Sequence, residues 1–104
     1  IDTVVGLKHT KLEWVKLKAP DGYLLELLQY HSHTEQKEIA NQKSNRLGHS
    51  HLAFSVDDID SICEKIEKIG GSVVNLPALT RDKKIKVAYC HDIEGNLMEI
   101  VEVL

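Results

Sequence analysis

The sequence predicts an α+β fold of two pseudo-repeated β-α-β-β-β modules, the first of which lacks its opening strand and helix. The main observation is a repeat with a spacing of 73 positions, which overlays residues 21–29 on residues 94–102. Each copy reads acid, glycine, a polar or aromatic residue, two apolar residues, glutamate, two more apolar residues, and glutamine or glutamate. A second observation is a series of isoleucines at helical spacing within residues 59–69, which predicts the helix of the second copy.

The first copy is predicted to be a β-hairpin. Residues 12–19 alternate between apolar and polar side chains, which is typical of a half-buried strand. Residues 20–22 read Pro-Asp-Gly and favour a turn. Residues 24–30 are apolar on both faces apart from Glu26 and one glutamine, so we expect an inner strand that is covered on both sides. Residues 31–47 carry almost no apolar side chains and are predicted to be the linker between the copies.

The second copy is predicted to be a complete β-α-β-β-β module. Its helix is expected from Asp58 to Ile69, because Asp57 or Asp58 can cap its first turn and a Gly-Gly pair follows its last residue. The strands are predicted at residues 49–56, 72–75, 84–91 and 97–103, with a loop at residues 76–83.

Subtracting 73 from each predicted element shows what the first copy contains. Val74 falls on Ile1, so the counterparts of the opening strand and helix would precede residue 1. Whether those residues are missing from the protein or only unrecorded stays open. A chain of 104 residues supports a single hydrophobic core. We therefore expect one domain, with residues 1–30 as a partial first module, 31–47 as the linker and 48–104 as the complete second module.

Composition excludes several classes of function. The formal net charge of -3 leaves no basic surface of the kind that binds nucleic acid. No apolar run approaches the roughly 18 to 20 residues that a membrane span requires, so no membrane partner is expected. Cys63 and Cys90 stand outside any CxxC pairing and are interpreted as buried free thiols, which are typical of a reducing compartment. The expected localisation is cytoplasmic.

Two glutamates and one histidine are the candidate site residues. The repeat places Glu26 and Glu99 at equivalent positions inside apolar strands, where a carboxylate is costly unless it is paired or binds a metal. His51 lies on a strand face with small neighbours, and it is either a ligand or a hydrogen-bonded histidine. The His49–His51 pair followed by a glutamate is also typical of cupins. That interpretation is poorly supported, because the next glutamate, Glu64, lies in the predicted helix.

Two segments resemble the vicinal oxygen chelate superfamily, which includes glyoxalase I, methylmalonyl-CoA epimerase, extradiol dioxygenases, and bleomycin- and fosfomycin-resistance proteins. They are Gly48–Ile59, which reads GHSHLAFSVDDI, and Asp92–Glu102, which reads DIEGNLMEIVE. The superfamily writes the second segment as an aromatic residue, Asp-Pro-Asp-Gly-Asn, and an acid inside an apolar strand. The chain departs from that pattern at His91, Ile93 and Glu94. The resemblance covers residues 12–104 and is specific for the fold rather than for a reaction.

The resemblance implies a concave cup in which each module supplies one metal ligand from its first strand and one from its last. The matching residues here are Glu26, His51 and Glu99, and the fourth ligand would precede Ile1. Imidazole together with carboxylates suits a divalent metal ion such as Zn²⁺, Ni²⁺, Co²⁺, Mn²⁺ or Fe²⁺.

By the same resemblance, the expected function is that of a metal-dependent, glyoxalase-like lyase or isomerase, similar to lactoylglutathione lyase or an epimerase. Such an enzyme moves a proton next to a carbonyl of a small 2-oxo compound or its thiol adduct, through a metal-stabilised enediolate. Glu99 is the candidate catalytic base and Glu26 its symmetry mate. The alternatives are a metal-free antibiotic-binding protein of the bleomycin-resistance type, an extradiol dioxygenase and a fosfomycin-type thiol transferase.

The expected partners are a small-molecule substrate and a second copy of the chain. A first module without its opening strand and helix would leave a sheet edge and an apolar face uncovered, and such surfaces recruit partners. Members of the superfamily also commonly build their cups across a two-fold axis. A homodimer is therefore predicted, with Trp14 or residues 24–30 near the contact.

Overall fold

The structure, a computed structural model, describes residues 1–35 and 41–104. It combines helices and strands in two compact units, Ile1–Lys37 and Glu38–Leu104, which confirms the predicted α+β class. The middle of the predicted linker, residues 36–40, lies outside the described residues. Within the described ranges, no helix is long and apolar enough to cross a membrane.

The first unit is a short helix followed by the predicted hairpin. Helix α1 spans Asp2–Val5, strand β1 spans Leu12–Lys18 and strand β2 spans Leu24–Tyr30, and the two strands pair antiparallel. The prediction of an inner strand covered on both sides was wrong. Strand β2 belongs to a two-stranded sheet, and its side chains are exposed except for the half-buried Leu25 and Tyr30.

The second unit is a helix packed on a five-stranded sheet. Its elements are β3 (Leu52–Ser55), α2 (Ile59–Lys68), β4 (Ser72–Val73), β5 (Ala78–Leu79), β6 (Ile85–His91) and β7 (Leu97–Val103). The strand order is β3-β7-β6-β4, with β5 also paired to β6. Strand β3 runs parallel to β7, and the other pairs are antiparallel. Strand β5 was missed because it has two residues and lies in the segment predicted to be a loop.

Helix α2 ends in the Gly-Gly pair, as predicted. The Gly71 N–H donates to the Ile66 carbonyl at 2.8 Å, and the Gly70 N–H donates to the Glu67 carbonyl at 3.2 Å. This pair of bonds is the Schellman motif, which needs a residue in a left-handed conformation just past the helix. Gly70, with φ of 105°, supplies it.

The core lies between α2 and one face of the sheet. Strand side chains alternate between the two faces, so every second residue of β6 and β7 points towards the helix. The residues of this core are Ile59, Cys63, Ile66, Ala88, Cys90 and Ile100. The side chains that alternate with them, including those of Tyr89, His91 and Glu99, lie on the other face. The sheet therefore separates the core from the face that carries the candidate glutamate.

The hairpins of the two units share one register. Lys16 lies opposite Glu26 in the first, and Tyr89, 73 positions later, lies opposite Glu99 in the second. Three backbone hydrogen bonds also recur at that spacing. The bond from Ala19 N to Tyr23 O corresponds to that from Asp92 N to Asn96 O, and the bond from Gly22 N to Ala19 O corresponds to that from Gly95 N to Asp92 O. The bond from His31 N to Lys11 O corresponds to that from Leu104 N to Lys84 O. The sequence repeat is therefore a repeat of backbone pairing, and Glu26 and Glu99 occupy equivalent places in it.

Replacing Gly71 should destabilise the second unit more than replacing a glycine in an open turn. A Cβ at Gly71 would lie 2.5 Å from the His91 carbonyl oxygen and 2.7 Å from Cγ2 of Ile66, so β6 or α2 would have to move. We expect Gly71→Ala to cost about 3 kcal/mol in urea unfolding. The control is Gly48→Ala in the same unit, where a Cβ meets nothing within 4 Å and the positive φ alone costs about 1 kcal/mol. Equal losses would contradict the packing argument.

Alkaline pH should destabilise the fold through the buried thiols. Burial raises the pKa of the Cys90 thiol to about 12, above the ordinary 9.0, and the neighbouring Cys63 adds to the effect. The folded chain therefore holds this proton more tightly than the unfolded chain. The contribution of this proton to the free energy of unfolding is complete below pH 9. It is lost as the pH rises towards 12, by up to about 1.4 kcal/mol per pH unit. Urea unfolding between pH 8 and 10.5 should show a steeper loss for the natural chain than for Cys90→Ala, and equal slopes would contradict it.

Candidate functional site

The site is centred on Glu99 in the middle of the sheet. Strand β7 lies between β3 and β6, and Glu99 has Ala53 on one side and Tyr89 on the other. The strand predicted at residues 49–56 would include His51. The observed strand β3 begins at Leu52, so His51 immediately precedes it. Its Nε2 is 3.4 Å from Oε2 of Glu99, and the two side chains are 22% and 25% exposed. The structure thus brings two of the three predicted site residues together.

The Ser50 hydroxyl contacts both the Ser44 carbonyl, at 3.2 Å, and Nδ1 of His51, at 2.9 Å. When its one proton goes to the carbonyl, the hydroxyl accepts the proton of Nδ1, and Nε2 of the neutral ring has its lone pair on the side of Glu99. When the proton goes to Nδ1, Nε2 carries the ring proton and can donate to Glu99. The first of these two ring forms is the one that can bind a metal ion through Nε2. Metal-ligating histidines commonly have this arrangement, because a bond from the second nitrogen holds the ring.

Tyr89 holds the other side of the His51 ring and was not among the predicted site residues. The two rings meet edge to face, with centroids 5.0 Å apart and an interplanar angle of 85°. The Tyr89 hydroxyl lies 3.5 Å from Nε2 of His51. The sequence held a signal for this residue, because Tyr89 and Glu99 lie equally far from Glu94 in the predicted turn, which puts them opposite each other in a hairpin.

The His51–Glu99 pair fits a divalent metal ion. In the ring form whose Nε2 is unprotonated, Nε2 and the carboxylate oxygen are both acceptors and form no hydrogen bond with each other at 3.4 Å. Two ligands of tetrahedral Zn²⁺, each about 2.0–2.2 Å from the ion, are about 3.4 Å apart. The observed spacing therefore suits a shared cation. A protonated His51 that pairs directly with Glu99 would give the same contact without a metal.

Glu26 lies in the first unit, as the third residue of β2, and its side chain is exposed. Its cross-strand neighbour is Lys16. Across the described residues, no group of three or more His, Cys, Asp or Glu side chains is arranged to hold a metal ion. The ligation of a metal by Glu26 together with His51 and Glu99 therefore stays a prediction.

Three histidines outside the pair, His31, His33 and His91, have structural partners. His31 lies 2.9 Å from a carboxylate oxygen of Glu13, and Nε2 of His33 lies 2.6 Å from the Lys8 carbonyl oxygen. His91 is buried, and its Nε2 donates to the Gln42 carbonyl at 2.7 Å. His91 therefore attaches the segment that precedes β3 to strand β6.

A cavity of about 540 Å³ opens on the sheet face that carries Glu99. Residues 41–45 line one side of it, and Val74, Tyr89, His91 and Leu97 line the other. Since the Tyr89 hydroxyl also approaches His51, the cavity and the His51–Glu99 pair are neighbours.

Comparison with known proteins identifies the family. A family model described as the Glyoxalase/Bleomycin resistance protein/Dioxygenase superfamily matches residues 8–100. The chain belongs to this superfamily. Over 55 residues it is 34% identical to a protein of Synechocystis sp. named as a probable lactoylglutathione lyase. That match covers 53% of this chain and 42% of the relative, so the chain matches less than half of the relative's length.

Solved structures of similar proteins agree with the superfamily. A glyoxalase family protein from Bacillus cereus is similar with a TM-score of 0.88 and 25% identity, over 99% of this chain and 69% of that one. A protein described as SMU.1112c has a TM-score of 0.60 and 19% identity, over 97% of this chain and 86% of its own, and this likeness shows the fold alone. The resemblance on which the sequence prediction depended is confirmed.

Removing the Ser50 hydroxyl should change the protonation of the His51 ring in this superfamily member. In the natural chain, nitrogen-detected NMR above pH 8 should show the Nδ1–H form of His51. Ser50→Ala removes the acceptor of that proton, so the Nε2–H form, which can donate to Glu99, should increase severalfold. Ser44→Ala is the control, because Ser44 contributes its backbone carbonyl rather than its side chain. The same ring form in all three proteins would contradict the assignment.

Proposed function

We propose that the chain is a metal-dependent, glyoxalase-like lyase or isomerase that moves a proton next to the carbonyl of a small 2-oxo compound or its thiol adduct. Membership of the superfamily and the likeness to a probable lactoylglutathione lyase support the class of reaction. The observation that carries the proposal is the 3.4 Å approach of Nε2 of His51 to the Glu99 carboxylate.

His51 and Glu99 would hold the metal ion, and the repeat proposes Glu26 as a further ligand from the first unit. Within the hairpin register, Glu26 has the position that Glu99 has in the second unit. Zn²⁺, Ni²⁺, Co²⁺, Mn²⁺ and Fe²⁺ all suit this set of imidazole and carboxylate groups. When bound, the ion supplies Lewis-acid polarisation of a substrate carbonyl.

Glu99 is the proposed catalytic base. Its carboxylate is one-quarter exposed and stands beside the small Ala53, which leaves room for a substrate carbon to approach. It would take the proton from the carbon beside the carbonyl while the electrons of the broken C–H bond move towards the carbonyl oxygen. In a thiol adduct, whose first carbon bears a hydroxyl, returning that proton to the former carbonyl carbon while the hydroxyl proton moves to the former carbonyl oxygen completes an isomerisation that consumes no co-reactant. Returning the proton to the opposite face of the same carbon is an epimerisation.

His51 and Tyr89 are proposed to keep this geometry. Ser50 holds Nδ1 of His51, and the edge of the Tyr89 ring contacts the imidazole, so Nε2 remains directed towards Glu99. A cytoplasmic location, a small-molecule substrate and a homodimer belong to the same proposal.

A metal-free binding protein of the bleomycin-resistance type is the second candidate. The observation that favours it is the cavity beside the pair, which would accommodate a ligand without any metal. The two candidates differ in one measurable property, the affinity of the protein for divalent ions.

Divalent-ion binding tests the proposal directly. Calorimetric titration of the full chain with Zn²⁺, Ni²⁺ and Mn²⁺ should show one site that is weakened at least about 100-fold in His51→Ala and in Glu99→Gln, since each removes a ligand. Glu26→Gln should weaken it by about tenfold or more if Glu26 ligates. The chain offers close controls: His49→Ala removes the neighbouring histidine, and Glu64→Gln removes an exposed helical glutamate.

Three results would contradict parts of this proposal. No binding of any of the three ions to the natural chain would favour the metal-free binding protein. Equal losses in His49→Ala and His51→Ala would mean that the ions bind elsewhere. An unchanged affinity in Glu26→Gln would remove Glu26 from the ligand set and leave the His51–Glu99 pair.

A further inference from the structure

One wall of the cavity beside the site is formed by residues of the predicted linker, residues 31–47. That wall is residues 41–45, and four sheet-side residues, Val74, Tyr89, His91 and Leu97, face it. Because Tyr89 and Leu97 share a sheet face with Glu99, the cavity opens where the proposed chemistry would take place.

The wall is attached to the second unit at several points. The Gln42 N–H donates to the Gly95 carbonyl at 3.2 Å, and the Gln42 carbonyl accepts the proton of Nε2 of buried His91 at 2.7 Å. The Ser44 carbonyl accepts from Ser50, the residue that also holds the His51 ring. The backbone of the wall is therefore part of the same hydrogen-bond network as the site.

The described residues that line the cavity include a positively charged residue and no negatively charged one. The lining residues of the wall include one lysine, Lys43, which is exposed, and three residues with amide side chains, Asn41, Gln42 and Asn45. Among the residues that the structure describes, no carboxylate lines the cavity. The ion pairs of those residues involve none of the cavity-lining side chains. A cation accompanied by amide donors favours a ligand with a negatively charged oxygen group.

The opposite side of the cavity has a different chemistry. Val74 and Leu97 are apolar, and Tyr89 presents its ring there while its hydroxyl lies 3.5 Å from Nε2 of His51. His91 adds no free polar group, because both ring nitrogens are already engaged, by Ser72 and Gln42. A ligand here would contact carbon on one side and polar donors on the other.

We propose that this cavity binds a small carboxylate with an apolar body, with the carboxylate at Lys43 and the wall amides and the apolar body against Val74, Leu97 and Tyr89. As a statement about the substrate, a 2-oxo acid, it rests on the proposed function, because the cavity lies on the same sheet face as Glu99, the proposed base. Lys43 is accordingly a specificity-determining residue. The binding itself needs no metal.

The test compares an acid with its neutral analogue on chelator-treated protein. The full chain, labelled with ¹⁵N, is titrated with 4-methyl-2-oxopentanoate and separately with 4-methyl-2-oxopentanamide, and amide shifts are followed by NMR. The acid should shift residues 41–45 and Tyr89 and should bind about fivefold more tightly than the neutral amide. Lys43→Gln should remove that difference. Lys84→Gln is the matched control, since it removes the same charge from an exposed lysine outside the cavity.

Each other outcome overturns the proposal. Equal binding of acid and amide removes the role of charge, equal losses in Lys43→Gln and Lys84→Gln indicate a non-specific charge effect, and shifts confined to other residues indicate a different site. The proposed function fails separately: Lys43-dependent binding of the acid by a protein that binds no divalent ion would leave the cavity assignment intact and exclude the metal chemistry.

Discussion

The position of β7 between β3 and β6 is the constraint on which the rest of the second unit depends. This pairing places Glu99 at the centre of the sheet, between β3 and β6. It brings His51, the residue before β3, and Tyr89, in the middle of β6, close to Glu99. The same pairing directs Ile100, the next residue of β7, into the core beneath α2. A shift of one residue would exchange the two faces, so the core and the site require the same register.

This arrangement makes a carboxylate in an apolar strand tolerable. Glu99 lies on the sheet face away from α2 and keeps one-quarter of its side chain exposed, so it avoids the full cost of burying a charge. His51 offers it a partner, whether by direct pairing or through a shared cation. Among the described residues, no buried side-chain nitrogen or oxygen lacks a hydrogen-bond partner. The charged site thus leaves the hydrogen bonding of the unit complete.

The same hairpin has different surroundings in the two units. In the second unit, the face with Ala88, Cys90 and Ile100 is covered by α2 and is buried. Its counterparts in the first unit are Val15, Leu17 and Leu27, which are about half exposed. Since the backbone pairing is the same, the hydrogen bonds of the hairpin are independent of the covering layer. Burial and packing depend on the helix.

Local patterns in the sequence determined the hairpins, the helix with its Asp58 cap and Gly-Gly end, and the equivalence of Glu26 and Glu99. These features depend on contacts within a few residues or on a visible repeat. The tertiary structure alone decided that His51 meets Glu99, that Tyr89 contacts the His51 ring and that residues 41–45 form a cavity wall with His91 as their attachment. Those contacts join residues up to 49 positions apart, as between Gln42 and His91, and no local preference encodes such a distance. They exist because the sheet pairs β7 with both β3 and β6, and only the folded chain brings those strands together.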